Sequence, residues 1–140
     1  MPQYHLPMGT EPAQRTFAQL DSFTRGYIEA MFWTECNEDN EELASCTFHD
    51  LAPPALAKVI EECTAFQNAN EEPLEACYAH ETVDYDDERA GHDFWLTRNG
   101  HGAGFWCRDL GDDGDKLTAA CKACGECYVH LGDDEKVHIG

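Results

Sequence analysis

Residues 91–108, Gly-His-Asp-Phe-Trp-Leu-Thr-Arg-Asn-Gly-His-Gly-Ala-Gly-Phe-Trp-Cys-Arg, crowd aromatic, glycine and basic side chains into one span that constrains the fold more than any other stretch. The span reads as a hairpin. Phe94-Trp95-Leu96-Thr97 favours a strand, Asn99-Gly100-His101-Gly102 offers the positive φ angles of a tight reversal, and Phe105-Trp106 returns on the far side. Two of the three tryptophans lie here, so the hairpin is expected to carry much of the core.

The 140 residues suffice to bury one core without covalent staples. A hydrophobic share of 42% fits a folded protein, and no apolar run approaches the length that crosses a bilayer. Residues 1–8 have neither the basic nor the apolar region of a secretory signal, so a reducing cytoplasm is the expected location.

Charge is the strongest global property: 28 acidic residues oppose 9 basic ones, for a formal −19. Such a surface repels nucleic acid and anionic lipid and is drawn to basic partners. Between residues 35 and 93 the acids are opposed only by Lys58 and Arg89. Glu38, Asp39, Glu41, Glu42, Glu61, Glu62, Asp84, Asp86, Asp87 and Glu88 are therefore the candidate partner-binding residues. Two readings compete for them: a solvated surface that maintains solubility, or a contact surface for a basic groove that mimics the phosphates of DNA.

Taken in order, residues 1–20 read as an arm or loop, and residues 21–140 as a single domain. A helix is predicted from Asp21-Ser22-Phe23-Thr24 to near Cys36, with Tyr27, Ile28, Met31 and Phe32 at helical spacing. A second runs from Asp50-Leu51-Ala52-Pro53-Pro54 to Asn68-Ala69-Asn70, its core stripe formed by Leu56, Val59, Ile60, Cys63 and Phe66. Leu74–His80 reads as a short helical turn, and Val83–Arg89 is too polar to assign. A third helix is predicted from Lys116 to Cys124, stopped by Gly125, before a small hairpin over 127–139. The expected class is α+β: a small, mostly antiparallel sheet of two hairpins with about three helices packed on one face.

Three constellations could carry chemistry. Cys121, Cys124 and Cys127 have the spacing of metal ligands, with Cys107 or His130 as a fourth, which points to zinc; the alternative is that small thiols fill the core. His92, Asp93 and His101 could meet across the hairpin as a general-base or metal site, which points to a small hydrolase; the alternative is that they are exposed or bonded to backbone. Arg98 and Arg108 read as ion-pair partners or anion ligands. The acidic loop 109–115 fails as a calcium site, since its third and twelfth positions are Gly111 and Ala120.

The run from Ala90 to Trp106, with Arg108, Leu110-Gly111, Gly114-Asp115, Leu117-Thr118 and Tyr128-Val129, resembles a family of small acidic proteins carried by bacteriophages and mobile elements. Tyr27-Ile28 and Pro54 to Asn70 add to the similarity. The resemblance covers about residues 23–131 and does not extend to Cys107, Cys121, Cys124 or Cys127. It implies a phage origin, and small acidic phage proteins are frequently inhibitors of host nucleases. The expectation is therefore a non-enzymatic anti-defence protein, anti-CRISPR or antirestriction, that binds a basic surface of a nuclease complex. A zinc-stabilised binding module and a small hydrolase are the alternatives.

Overall fold

Asp21 accepts a hydrogen bond from the Thr24 backbone N–H (2.8 Å) and opens the first helix, α1, Ser22–Glu35. The computed structural model describes residues 17–36 and 41–139. After α1 come α2 (Pro53–Ala69), α3 (Glu71–Tyr78), α4 (Asp87–Arg98) and α5 (Gly111–Cys124). Strands β1 (Val129–Leu131) and β2 (Val137–Ile139) follow, and single 3-10 turns lie at Phe48–Asp50 and Phe105–Cys107. Helices α1 and α2 and the C-terminal hairpin fall where the sequence predicts them. Helix α5 starts earlier, at Gly111, with Asp112 and Asp113 in its first turn, where their charge suits the positive end of the helix dipole.

The fold class differs from expectation: the protein is mainly helical. Among the described residues the only sheet is the antiparallel pair β1–β2, in the register Val129↔Ile139 and Leu131↔Val137. The hairpin expected over 91–108 does not exist. Phe94–Thr97 belongs to α4, whose start is fixed by Asp86 accepting from the Arg89 N–H (2.9 Å), with Asp87 and Glu88 in the first turn. Helix α4 is buried on nearly every side, from Ala90 and Gly91 through Asp93–Arg98. A helix enclosed all round shows no amphipathic period, so a short aromatic run inside one resembles a buried strand. Asn99-Gly100 caps this helix instead of turning a hairpin. Gly100 has φ +70°, the His101 N–H reaches the Leu96 carbonyl (3.0 Å), and the Gly100 N–H reaches that of Thr97 (3.2 Å).

Helix α1 crosses α4 at two glycines. A Cβ at Gly91 would lie 1.9 Å from the Phe23 carbonyl oxygen, and one at Gly26 would lie 2.2 Å from that of Glu88. Around this crossing Phe23, Tyr27, Phe66, Phe94, Trp95 and Phe105 form an aromatic core, with Phe66 stacked on Phe94 at 4.1 Å. Of the tryptophans in the 91–108 span only Trp95 joins it, donating its Nε1 hydrogen to Thr34 Oγ1 (2.8 Å), while Trp106 is exposed. Of the expected N-terminal arm, residues 1–16 lie outside the described residues. Phe17 packs edge-on against Phe48 (5.1 Å), and Arg25 donates to the Ala18 and Leu20 carbonyls.

Because backbone, not a flexible side chain, meets the added methyl, Gly91→Ala should cost about 3 kcal/mol by forcing α1 and α4 apart. Gly102→Ala, whose Cβ meets nothing within 4 Å, should stay within about 1 kcal/mol of the parent. Urea unfolding of the two variants checks this difference.

Candidate interaction face

The contact of Gly26 with the backbone of Glu88 brings the outer edges of α1 and α4 together and sets Glu29 beside Glu88. The neighbouring Glu29 carboxyl, whose negative charge favours the protonated form, raises the Glu88 carboxyl above its ordinary value. His92 Nε2 lies 3.2 Å from Glu29 Oε1, and Arg89 is turned to the Asp84 backbone, where its Nη1 donates to the carbonyl. Asp84, Asp86, Asp87 and Glu88 are all exposed around this pair. The result is a solvent-facing cluster of carboxylates at the start of α4 in which two acids crowd each other.

The remaining candidate acids lie elsewhere. Glu41 and Glu42 are exposed on the turn before Leu43, and Glu61 is exposed on α2. Glu38 and Asp39 fall outside the described residues. Glu62 is committed internally: it accepts from Arg98 Nη1 (2.6 Å) and pairs with Lys58 Nζ (3.1 Å). Burial pushes its carboxyl up, but the two cations overcome that and hold it below its ordinary value.

The structure does not assemble the zinc set. Cys121 is buried, with burial pushing its thiol well up, whereas Cys124 is exposed beyond the core. Cys127 Sγ sits 3.8 Å from both Tyr27 Oη and Glu62 Oε1, and Cys107 is bonded within its own 3-10 turn to the Gly104 backbone. His130 stacks between Tyr128 (5.9 Å) and His138 (5.7 Å) on the hairpin. Among the described residues no group of three or more His, Cys, Asp or Glu side chains is placed to hold a metal ion, so these residues do not fit zinc.

The proposed His92, Asp93 and His101 trio is divided as well. His92 and Asp93 line a cavity of about 270 Å³ with Val83, Tyr85, Arg89 and Arg108. There Asp93, 1% exposed, accepts from Tyr85 Oη (2.6 Å) and Arg108 Nη2 (2.9 Å), so its oxygens serve as a buried anchor. Burial, with the Asp93 charge beside it, pushes the Tyr85 phenol well above its usual range. His101 instead lines a cavity of about 600 Å³ with Trp33 and Leu96, its Nε2 lying 3.7 Å from Glu35. Both arginines are ion-pair partners, Arg98 with Glu62 and Arg108 with Asp93.

Glu29, Trp33 and Tyr85 were not among the sequence candidates. Glu29 stands on the open side of the α1 stripe, but its meeting with Glu88 depends on the glycine crossing, which helical spacing alone does not reveal.

Comparison with protein-family models, curated proteins and solved structures returned no match. Among the described residues no helix is long and apolar enough to cross a membrane.

Folded Glu88 holds its proton more tightly than an unfolded glutamic acid does, so its ionisation destabilises the fold. The cost is absent below the ordinary glutamate range and complete once pH exceeds the raised folded value. Relative to the parent, Glu88→Gln should gain on the order of 1–2 °C in Tm between about pH 4 and about pH 7.5. A Tm difference that does not move with pH would contradict the crowding of Glu29 and Glu88.

Proposed function

We propose that this protein is a non-enzymatic, stoichiometric inhibitor that sets the carboxylates of α1 and α4 against lysines and arginines of a nucleic-acid-binding host defence complex. Glu29, Asp84, Asp86, Asp87 and Glu88 form the contact, with Glu41, Glu42 and Glu61 adding long-range attraction in the host cytoplasm. The observation that carries the reading is the exposed set of carboxylates Glu29, Asp84, Asp86, Asp87 and Glu88 at the crossing of Gly26 with the Glu88 backbone, a charge that a basic partner would neutralise. The formal −19 points the same way, since it favours a basic partner and repels free nucleic acid. The assignment to anti-defence rests on the phage-family resemblance of the 90–106 run. Glu62 is not part of this contact, because Arg98 and Lys58 already neutralise it.

Affinity capture from host cells at about 50 mM salt, followed by mass spectrometry, should recover a nucleic-acid-binding complex. Asp86 is left intact because it caps α4. Glu29→Lys/Glu88→Lys should weaken that complex by about tenfold or more, and raising salt to about 300 mM should weaken the parent complex comparably. Recovery of no nucleic-acid-binding partner, or an affinity insensitive to both changes, would overturn the reading.

A further inference from the structure

The C-terminal hairpin leaves one strand edge open. Strand β2 is flanked on both sides, by β1 and by Leu51, which bridges Val137 while the Ala52 N–H donates to the Val137 carbonyl (2.9 Å). Among the described residues β1 pairs with β2 alone. The register decides which of its backbone groups are open. The Gly132 N–H donates to the Lys136 carbonyl (2.8 Å), so His130 and His138, two residues further along each strand, form the next hydrogen-bonded pair. Val129 and Leu131 stand at the alternate positions, and their N–H and C=O groups point away from β2. The Val137 carbonyl, opposite Leu131, obeys the same alternation by turning to Ala52. Among the described residues no backbone group outside the hairpin bonds to Val129 or Leu131, and such an unpaired row is a template for a further strand.

The two faces of β1 differ in chemistry. Val129 is buried on the core side with Val137. On the other face Tyr128, 69% exposed, stacks on His130 (5.9 Å), which in turn stacks on His138 (5.7 Å). Glu126, Asp133 and Glu135 are exposed around this edge and form no ion pair with the described residues, whereas Asp134 is committed to His138 Nε2 (3.0 Å). Lys136 is the only lysine or arginine between residues 126 and 139. The open edge is therefore negative, with an exposed aromatic ring beside it.

We infer that β1 accepts an extended basic segment of a partner protein as a third, antiparallel strand. Residues of that segment opposite Val129 and Leu131 exchange hydrogen bonds with them and share their face, which suits apolar side chains. The alternate residues fall on the Tyr128 face, where an arginine guanidinium stacks on the ring and meets the surrounding carboxylates. An acidic segment would meet the same edge with the wrong sign. The edge uses no residue of the α1–α4 carboxylate face, so it does not rest on the inhibitor reading.

The test is calorimetric titration of the full chain with the peptide acetyl-Arg-Val-Arg-Val-Arg-Val-amide and with two isomers of it, N-methylated at the valines or at the arginines. The isomers carry equal charge, so general attraction to an acidic chain does not separate them. The unmethylated peptide should bind saturably. Methylating the valine nitrogens, which face β1, should weaken it about tenfold or more, and methylating the arginine nitrogens, which face solvent, less than about threefold. Tyr128→Ala, at an exposed position, should retain the fold and weaken the unmethylated peptide about threefold or more. Three results would each overturn the proposal: no saturable binding, whether the edge stays open or is closed by a second copy of the chain; a valine-methylated isomer that binds as tightly as the arginine-methylated one; or an unaltered affinity in a folded Tyr128→Ala variant.

Discussion

The guanidinium of Arg98 is the joint on which the helices meet. Standing at the end of α4 and 6% exposed, it donates to the Gly125 carbonyl through Nε (2.8 Å) and to the Cys124 carbonyl through Nη2 (3.1 Å). Its Nη1 reaches both Tyr27 Oη on α1 (3.2 Å) and Glu62 on α2 (2.6 Å), and its central carbon lies 5.2 Å from the centre of the Phe94 ring. A buried cation is tolerated only when it is paired and hydrogen-bonded, and these partners come from the three other helices α1, α2 and α5 at once. It also satisfies carbonyls at the C-terminus of α5, where a positive charge is favoured. Arg108 and Asp93 repeat the device on a smaller scale beneath Tyr85.

Around that joint the polar residues of the 91–108 span serve the fold. Thr97 Oγ1 accepts from the Phe105 N–H (3.1 Å), and a Cβ at Gly104 would collide with that same side chain. Asn99 Oδ1 accepts from the Cys127 N–H (2.7 Å) and ties the end of α4 to the chain leading into β1. The 91–108 span is therefore mostly a packing device. The outward acids at the start of α4 are left over from that task and supply the charge on which the proposed function rests.

What the sequence disclosed follows from where periodicity is informative. Helices α1 and α2 are buried on one side, so Tyr27, Met31, Val59 and Phe66 repeat at helical spacing and both could be read directly. The C-terminal hairpin was legible from its alternation, and the end of α5 from Gly125 with φ +79°. Helix α4 was not, because enclosure erased its period, and because Asn99-Gly100 supplies the same left-handed backbone to a helix cap as to a hairpin. Gly91 opens the span that reads as a hairpin, although its role is to let two backbones touch. The separation of His92 from His101 follows from the same misreading, since a helix places them on different cavities where a hairpin would have brought them together. The exposed acids were legible as a class, but the pairing of Glu29 with Glu88 and the withdrawal of Glu62 to Arg98 depend on tertiary contacts.

The most direct test of Arg98 as the joint of the fold is a double-mutant cycle between Arg98→Met and Glu62→Gln, read by urea unfolding. The account predicts that Arg98→Met alone costs about 3–5 kcal/mol and that the pair couples by about 2 kcal/mol. Additive effects, with Arg98→Met costing less than about 1 kcal/mol, would contradict it.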